Sequence, residues 1–280
     1  MSAVLLNGKE EAARLAEQQA ARVHALNEAG IVPALAVILV GDDPASSIYV
    51  RNKERACASV GIRSHMIHMP ASATQAELHA QIDALNADPA VHGILVQLPL
   101  PAHLNEAEAL RRVNAAKDVD GFHVINSGLL LQGHPAVLPC TAKGILHMLT
   151  AAGVQMDGAR AVVVGRSNIV GKPTALLLMQ KNCTVTLCHS HTRDLAAVTR
   201  EADILVAAVG KPRFITADMI KPGAAVIDVG INRVDGKLCG EVDFAGAAEV
   251  AGYITPVPGG IGPMTVAMLM ENTLEAACRA

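Results

Sequence analysis

AVVVGRSNIVGKPTALLLMQK, residues 161–181, joins a β-branched apolar run to a turn holding Gly165 and Gly171, then to a helical stretch carrying Pro173 and a leucine run. A buried strand handed straight to a helix is the unit from which parallel sheets are built. Turn glycines let the backbone approach a pyrophosphate, and the helix N-terminus offers free N–H groups and the positive end of its dipole. The two glycines stand six apart, so the generic G-x-G-x-x-G spacing is absent. Taken alone, the stretch fits a plain strand-to-helix turn as well as a nucleotide site.

Outward from it the pattern repeats. TVTLC (184–188), DILVAAVG (203–210) and AAVIDVG (224–230) read as further strands separated by helices or short loops. Upstream, Ala12, Leu15, Ala16, Val23 and Leu26 recur at helical spacing before Gly30, and ALAVILV (34–40) reads as a buried strand. A helix at about 44–59, a strand near 62–68, a helix at 74–86 and a strand GILVQL at 93–98 complete a first α/β series. The stretch 121–139 is Gly-rich and weakly periodic; 140–153 reads as a helix, and a last helix at 263–279 follows the loop TPVPGGIGP and is expected to return to the first series. The expected fold class is therefore α/β, with two α/β layers flanking a cleft and the second a Rossmann-like domain. The expected domains are 1–138 plus 263–280, and 139–262.

Composition narrows the function. With 280 residues, 51% hydrophobic, 18% charged and a net charge of −3, the chain is neither disordered nor collagen-like. It also lacks the concentrated positive charge that nucleic acid and anionic membranes reward, so small soluble partners are favoured. No apolar run reaches the roughly 18 to 20 residues a bilayer demands. The start MSAVLLNGKEEAARLAEQ turns acidic too early for a signal peptide, so a cytoplasmic protein is expected. Six cysteines without a CxxC spacing are expected to be reduced thiols, and Cys183 and Cys188, an odd step apart on one strand, point to opposite faces. His189 and His191 form an HxH without a carboxylate or thiolate arrangement beside it, and no metal site is expected.

Several polar residues interrupt this apolar background. Tyr49 and Lys53, four apart on an expected helix, share one face, and a lysine desolvated in a cleft can take part in proton transfer; an ordinary amphipathic face explains the same spacing. Gln97 breaks a buried run near a strand's carboxyl end, where α/β ligand sites lie, although a structural hydrogen bond would also satisfy it. Asp118 and Asp120 in KDVDGFH suit either a bidentate grip on a heterocycle or a turn. The paired prolines and glycines of TPVPGGIGPMT (255–265) make a close-approach loop or a simple linker. At the end of the second strand of the nucleotide unit, Cys188–Thr192 contains no carboxylate for a ribose 2′-hydroxyl, and Arg166 follows the first glycine; this favours a 2′-phosphate, hence NADP over NAD. Asp194 offers the contrary reading, a late ribose carboxylate.

YVRNK (49–53), GILVQLPLP (93–101), DVDGF (118–122), PCT (139–141), GRSNIVGKP (165–173), VIDVGIN (226–232) and PGGIGPMT (258–265) together closely resemble the bifunctional methylenetetrahydrofolate dehydrogenase/cyclohydrolase family over essentially the whole chain. The resemblance implies NADP-dependent oxidation of 5,10-methylenetetrahydrofolate to the 5,10-methenyl cation, then hydrolysis to 10-formyltetrahydrofolate. It implies that Lys53 is the key group for hydrolysis, with Gln97 bonded to it, Tyr49 along the folate's aminobenzoate and Asp120 anchoring the pterin. Val96, Leu98 and the loop Pro258, Gly259, Gly260, Ile261, Gly262 would border the folate. Gly165, Arg166, Ser167, Ser190 and the Ile231 backbone would hold NADP. A homodimer formed through the nucleotide layer is also implied.

Three positions depart from the family pattern: Ala142 where PCTP is usual, PGGIG in place of PGGVG, and His191 where Lys or Arg often follows the serine. The last would weaken the 2′-phosphate site or make it pH dependent. Competing functions are a dehydrogenase that has lost hydrolysis, against which the intact Lys53, Gln97 and Asp120 count, and a non-catalytic NADP-binding protein of the same fold.

Overall fold

A computed structural model describes residues 3–280. The chain runs β1 (Val4–Leu5), α1 (Gly8–Glu28), β2 (Ala34–Val40), α2 (Pro44–Val60), β3 (Arg63–Met69), α3 (Gln75–Ala87), β4 (Gly93–Val96), α4 (Glu106–Arg112), α5 (Val124–Leu131) and α6 (Cys140–Ala151). It continues through β5 (Arg160–Val164), α7 (Gly171–Gln180), β6 (Thr184–Cys188), α8 (Leu195–Thr199), β7 (Ile204–Ala207), β8 (Ala225–Asp228), β9 (Asn232–Val234), β10 (Lys237–Cys239), α9 (Phe244–Ala248), β11 (Tyr253–Ile254) and α10 (Ile261–Arg279). The chain divides into two compact units, one of Ala13–Cys140 with Val266–Ala280, the other of Thr141–Thr265 with the segment ending at Ala12.

The first unit is built on a three-stranded parallel sheet, β3-β2-β4. All seven residues of β2 are buried, as a central parallel strand covered on both faces requires. Helix α2 begins where Asp43 accepts from the Ser46 N–H (2.7 Å) with Pro44 in its first turn, and it stops at Gly61 in the left-handed region (φ 84°). Helix α3 opens with a reciprocal capping box between Thr74 and Glu77. Ile38, Leu78, Ile82 and Ile94 form the centre of the core between sheet and helices. Gln19 Nε2 on α1 donates to the Ala267 carbonyl of α10 at 2.9 Å, and α10 from Val266 onward lies with the first unit.

The second unit holds a six-stranded parallel sheet ordered β1-β11-β8-β7-β5-β6, with β9 and β10 forming a separate antiparallel hairpin. From β5 the chain moves to one side for β6 and to the other for β7, which puts the topological switch between β5 and β7.

The structure departs from expectation at particular places. The N-terminal segment does not join the first domain: Val4–Leu5 pairs with Tyr253–Ile254 as the edge strand of the second sheet. Strand β4 ends at Val96 rather than residue 98, because Pro99 and Pro101 have no N–H to continue a ladder. The weakly periodic stretch contains the helix α5, capped by His123, whose ring nitrogen accepts from the Ile125 N–H at 3.1 Å.

Candidate active site

In the first sheet the switch lies between β3 and β4 on either side of β2, and polar groups collect at the carboxyl ends. Helix α2 leaves the end of β2 and carries Lys53, whose Nζ donates to Gln97 Oε1 at 2.9 Å. Gln97 is the first residue past β4; its N–H still donates to the Ile38 carbonyl (2.9 Å), and its Nε2 donates to the Leu98 carbonyl at 2.6 Å. That second bond fixes the amide, leaving Oε1 turned to the lysine.

Asp118 and Asp120 have different work. Asp118 is buried and accepts from the Gly121 N–H (3.1 Å), the His123 N–H (2.8 Å) and Asn126 Nδ2 (2.8 Å), so it holds the turn. Gly121, at φ 77°, is pressed so closely that a Cβ would lie 2.7 Å from the Pro139 nitrogen. The turn carries Asp120 into the electrostatic reach of Lys53, where the Cys140 thiol also bonds to it. Burial holds the Lys53 ammonium below the ordinary lysine range, opposed by the attraction of Asp120 and, less strongly, Cys140. Burial likewise pushes the Asp120 carboxyl up, with Lys53 pulling it down and Asp118 adding to the rise. Tyr49 stands one turn before Lys53 and is 40% exposed, Val96 is buried, and Leu98 is half-buried.

In the second unit, the turn after β5 is pinned by the Gly165 N–H donating to the Cys188 carbonyl at 2.9 Å. Gly165 has φ 125°, and a Cβ there would stand 1.9 Å from the Ala208 oxygen; one on Gly171 would stand 2.0 Å from the Gly165 oxygen. Here the glycines serve close packing of strand, turn and helix. Ser167 Oγ accepts from the Val170 and Gly171 N–H groups at 3.1 and 3.3 Å, capping the start of α7. Arg166 and Ser190 are exposed on the loops that follow the paired residues Val164 and Cys188. Arg166 has no carboxylate partner among the described residues, and neither does Arg193, an exposed cation on the loop after β6 that the sequence reading passed over. Asp194 caps α8 by accepting from the Ala197 N–H (3.2 Å), which occupies the carboxylate that competed for the ribose. His189 Nδ1 accepts from the His191 N–H at 3.1 Å.

Ile231 follows β8, 44% exposed, and its side chain would meet a Cβ on Gly262 at 3.4 Å. In the PGGIG loop Pro258 is exposed, while Gly260 and the Ile261 side chain are buried; the Gly259 carbonyl accepts from the Lys9 N–H at 3.0 Å. Asn272 on α10 was not foreseen. Fully buried, its Nδ2 donates to the carbonyls of Val119 (2.8 Å) and Leu138 (2.9 Å), supporting the backbone on both sides of the Asp120 turn. A polar residue in an apolar helical stretch was the only available signal.

Comparison with known proteins fits this arrangement. Residues 6–120 match the catalytic domain, and residues 139–280 the NAD(P)-binding domain, of tetrahydrofolate dehydrogenase/cyclohydrolase. The chain belongs to the tetrahydrofolate dehydrogenase/cyclohydrolase family. It is a bifunctional enzyme, methylenetetrahydrofolate dehydrogenase and methenyltetrahydrofolate cyclohydrolase, whose substrates are tetrahydrofolate derivatives. It is 59% identical over 280 residues to the bifunctional protein FolD of Bordetella avium, covering 100% of this chain and 99% of that one. The solved FolD of Campylobacter jejuni superimposes with a TM-score of 0.98 at 47% identity, covering 99% of both chains. The Trypanosoma brucei enzyme, solved with NADP and an inhibitor, gives 0.95 at 40% identity over 100% of this chain and 98% of that one.

Proposed function

We propose that Lys53 is the proton-handling group of the hydrolysis and assists the hydride transfer by staying neutral beside the cation it forms, and that NADP is the nucleotide, held by the second unit. What carries the first part is the bond from Lys53 Nζ to Gln97 Oε1 together with the burial that disfavours the ammonium. The dehydrogenase product is a cation, which a permanently charged neighbour would oppose. A lysine neutral for part of the cycle avoids that repulsion. It donates one N–H to the fixed Gln97 oxygen and keeps a lone pair for a proton.

In hydrolysis, water adds to the methenyl carbon as Lys53 Nζ takes one of its protons. The adduct's hydroxyl proton passes to N5 as the carbon–N5 bond breaks, giving 10-formyltetrahydrofolate and one released proton overall. Asp120 anchors the pterin, Tyr49 lines the aminobenzoate, and Val96, Leu98 and Pro258–Gly262 border the folate. The domain around Lys53 binds folate and the one around Gly165 binds nucleotide.

Gly165, Arg166, Ser167, Ser190 and the Ile231 backbone hold NADP, and Arg193 adds a second cation. The fit rests on two exposed guanidiniums without carboxylate partners, and on a β6 end whose nearest carboxylate is occupied in a helix cap. When bound, NADP+ accepts the hydride from the substrate's methylene carbon. The enzyme works as a homodimer, for which the family resemblance is the support, and in the cytoplasm, which accords with six cysteines free of disulfides. No helix among the described residues is long and apolar enough to cross a membrane.

The test uses purified protein in two assays: 5,10-methylenetetrahydrofolate with NADP+ or NAD+, and hydrolysis of supplied methenyl-folate without nucleotide. Turnover in both with NADP+ preferred is expected. Reduction without hydrolysis would remove Lys53 from the second step, and equal use of NAD+ would remove Arg166 from nucleotide selection.

A further inference from the structure

Two carboxylates lie buried at the carboxyl edge of the six-stranded sheet, and neither has a cationic partner among the described residues. Asp228 ends β8; it accepts from the N–H groups of Gly230 (3.0 Å), Glu241 (2.9 Å) and Val242 (2.9 Å), while its own N–H donates to Thr255 Oγ1 (2.8 Å). Glu241 reaches on to the loop after β7 and accepts from the Val209 N–H (2.5 Å) and the Gly210 N–H (2.6 Å). Space is cleared for both acids. A Cβ on Gly230 would lie 2.1 Å from Glu241 Cγ, and one on Gly240 would lie 1.8 Å from Asp228 Oδ2.

Burying carboxylates without cations is costly, and burial pushes both carboxyls up, Glu241 further by Asp228, against the pull of the backbone donors. A core needs no such pair. What these acids fix is backbone: Val209 and Gly210 follow the oxygen of Ala208, against which Gly165 is packed, and Gly230 precedes Ile231. The loop 208–210 follows β7, which borders the topological switch between β5 and β7 where α/β sheets bind their ligands, and 229–231 follows β8, the next strand beside β7.

We propose that Glu241 is a positioning residue of the dehydrogenase reaction. With Asp228 it locks the loops 208–210 and 229–231 into one preformed edge that receives the nicotinamide nucleotide. This rests on the placement of NADP given above. Pre-formed loops spare the binding step the cost of ordering them, so their loosening is read as weaker nucleotide binding.

The experiment takes the full chain with Glu241→Gln, which keeps size but aims an NH2 group at a backbone N–H that the carboxylate now accepts. NADP+ affinity is measured by calorimetry without folate, alongside KM and kcat of the dehydrogenase, methenyl-folate hydrolysis without nucleotide, and Tm. The expected result is Kd and KM for NADP+ raised about tenfold, with hydrolysis within about twofold of wild type. Glu241→Asp retains the charge and should recover part of the loss; it also carries the test if Glu241→Gln does not fold. An NADP+ Kd within twofold of wild type overturns the proposal. So does a loss shared equally by hydrolysis and tracking Tm, which marks a merely structural acid. Arg166→Ala is run in parallel: if it too leaves NADP+ affinity unchanged, the nucleotide placement itself is wrong, whereas weakened binding there with an unchanged Glu241→Gln condemns only the role of Glu241.

Discussion

Both units put their polar groups at the carboxyl ends of parallel strands beside a topological switch, yet they equip that position differently. In the Lys53 unit the candidate groups are side chains held by other side chains: Lys53 by Gln97, and Asp120 by a turn that Asp118 organises. In the Gly165 unit the structure is mostly backbone, with glycines packed against carbonyls and exposed arginines at the rim. Proton chemistry needs a tuned pKa and therefore burial; a dinucleotide needs N–H groups, room and accessible cations. Substitutions in the first should change the hydrolysis rate or folate binding and spare nucleotide affinity, and those in the second should change nucleotide affinity and spare hydrolysis.

The largest effect tests that division most directly. Lys53→Met removes the amine while nearly keeping volume, and hydrolysis of methenyl-folate should fall by at least about a thousandfold. NADP+ affinity should stay within about twofold, because Lys53 and Gly165 belong to different compact units. Hydrolysis at the normal rate would take Lys53 out of the mechanism.

Asp120→Asn sharpens the electrostatic half of the comparison. Asp120 favours the charged lysine, so removing its charge lowers the proton affinity of Lys53 further. The acid limb of kcat for hydrolysis should then move to lower pH, while the folate KM rises roughly ten- to a hundredfold through loss of the pterin anchor. A limb that keeps its position under saturating folate would show that Lys53 does not set it.

How much of this was legible follows the same divide. ALAVILV announced itself because a strand buried on both faces must be apolar throughout. Tyr49 and Lys53 could be placed on one helix face by spacing, and Gln97 stood out as a polar break, but their meeting across 44 residues is a tertiary fact. Val4–Leu5 is a strand solely because Tyr253–Ile254 is there to pair with it; both side chains are half exposed and carry no periodic signal. Helix α5 escaped notice since VINSGLLL has Ser127 and Gly128 at its middle and exposes Val124, Ile125 and Leu131. Its support comes from the His123 cap and the Asn126 bond to Asp118, which propensity does not register. Glu241 sits in GKLCGEVDF, a stretch without a periodic apolar pattern, and its burial follows from the backbone N–H groups of Val209 and Gly210 that the fold brings to it.

On the nucleotide side the expected effects are smaller and confined to affinity. Arg166→Ala should raise KM for NADP+ by about tenfold and that for NAD+ by less than about twofold, with hydrolysis of supplied methenyl-folate unchanged. Equal effects on the two nucleotides would make Arg166 a structural residue.

The smallest effect concerns His191, exposed on the loop after β6 and next to Ser190. His191→Lys places a permanent charge beside Ser190 without touching the core. An exposed ion pair contributes about 0.2 to 1 kcal/mol, so KM for NADP+ should fall roughly 1.4- to fivefold and KM for NAD+ should not move. The gain should shrink as salt is raised, because the pair lies in solvent. If it persists at high salt, the 2′-phosphate is held in a more enclosed pocket than the exposure of Arg166, Ser190 and His191 allows, and the contrast between a buried proton site and an open nucleotide edge would have to be redrawn.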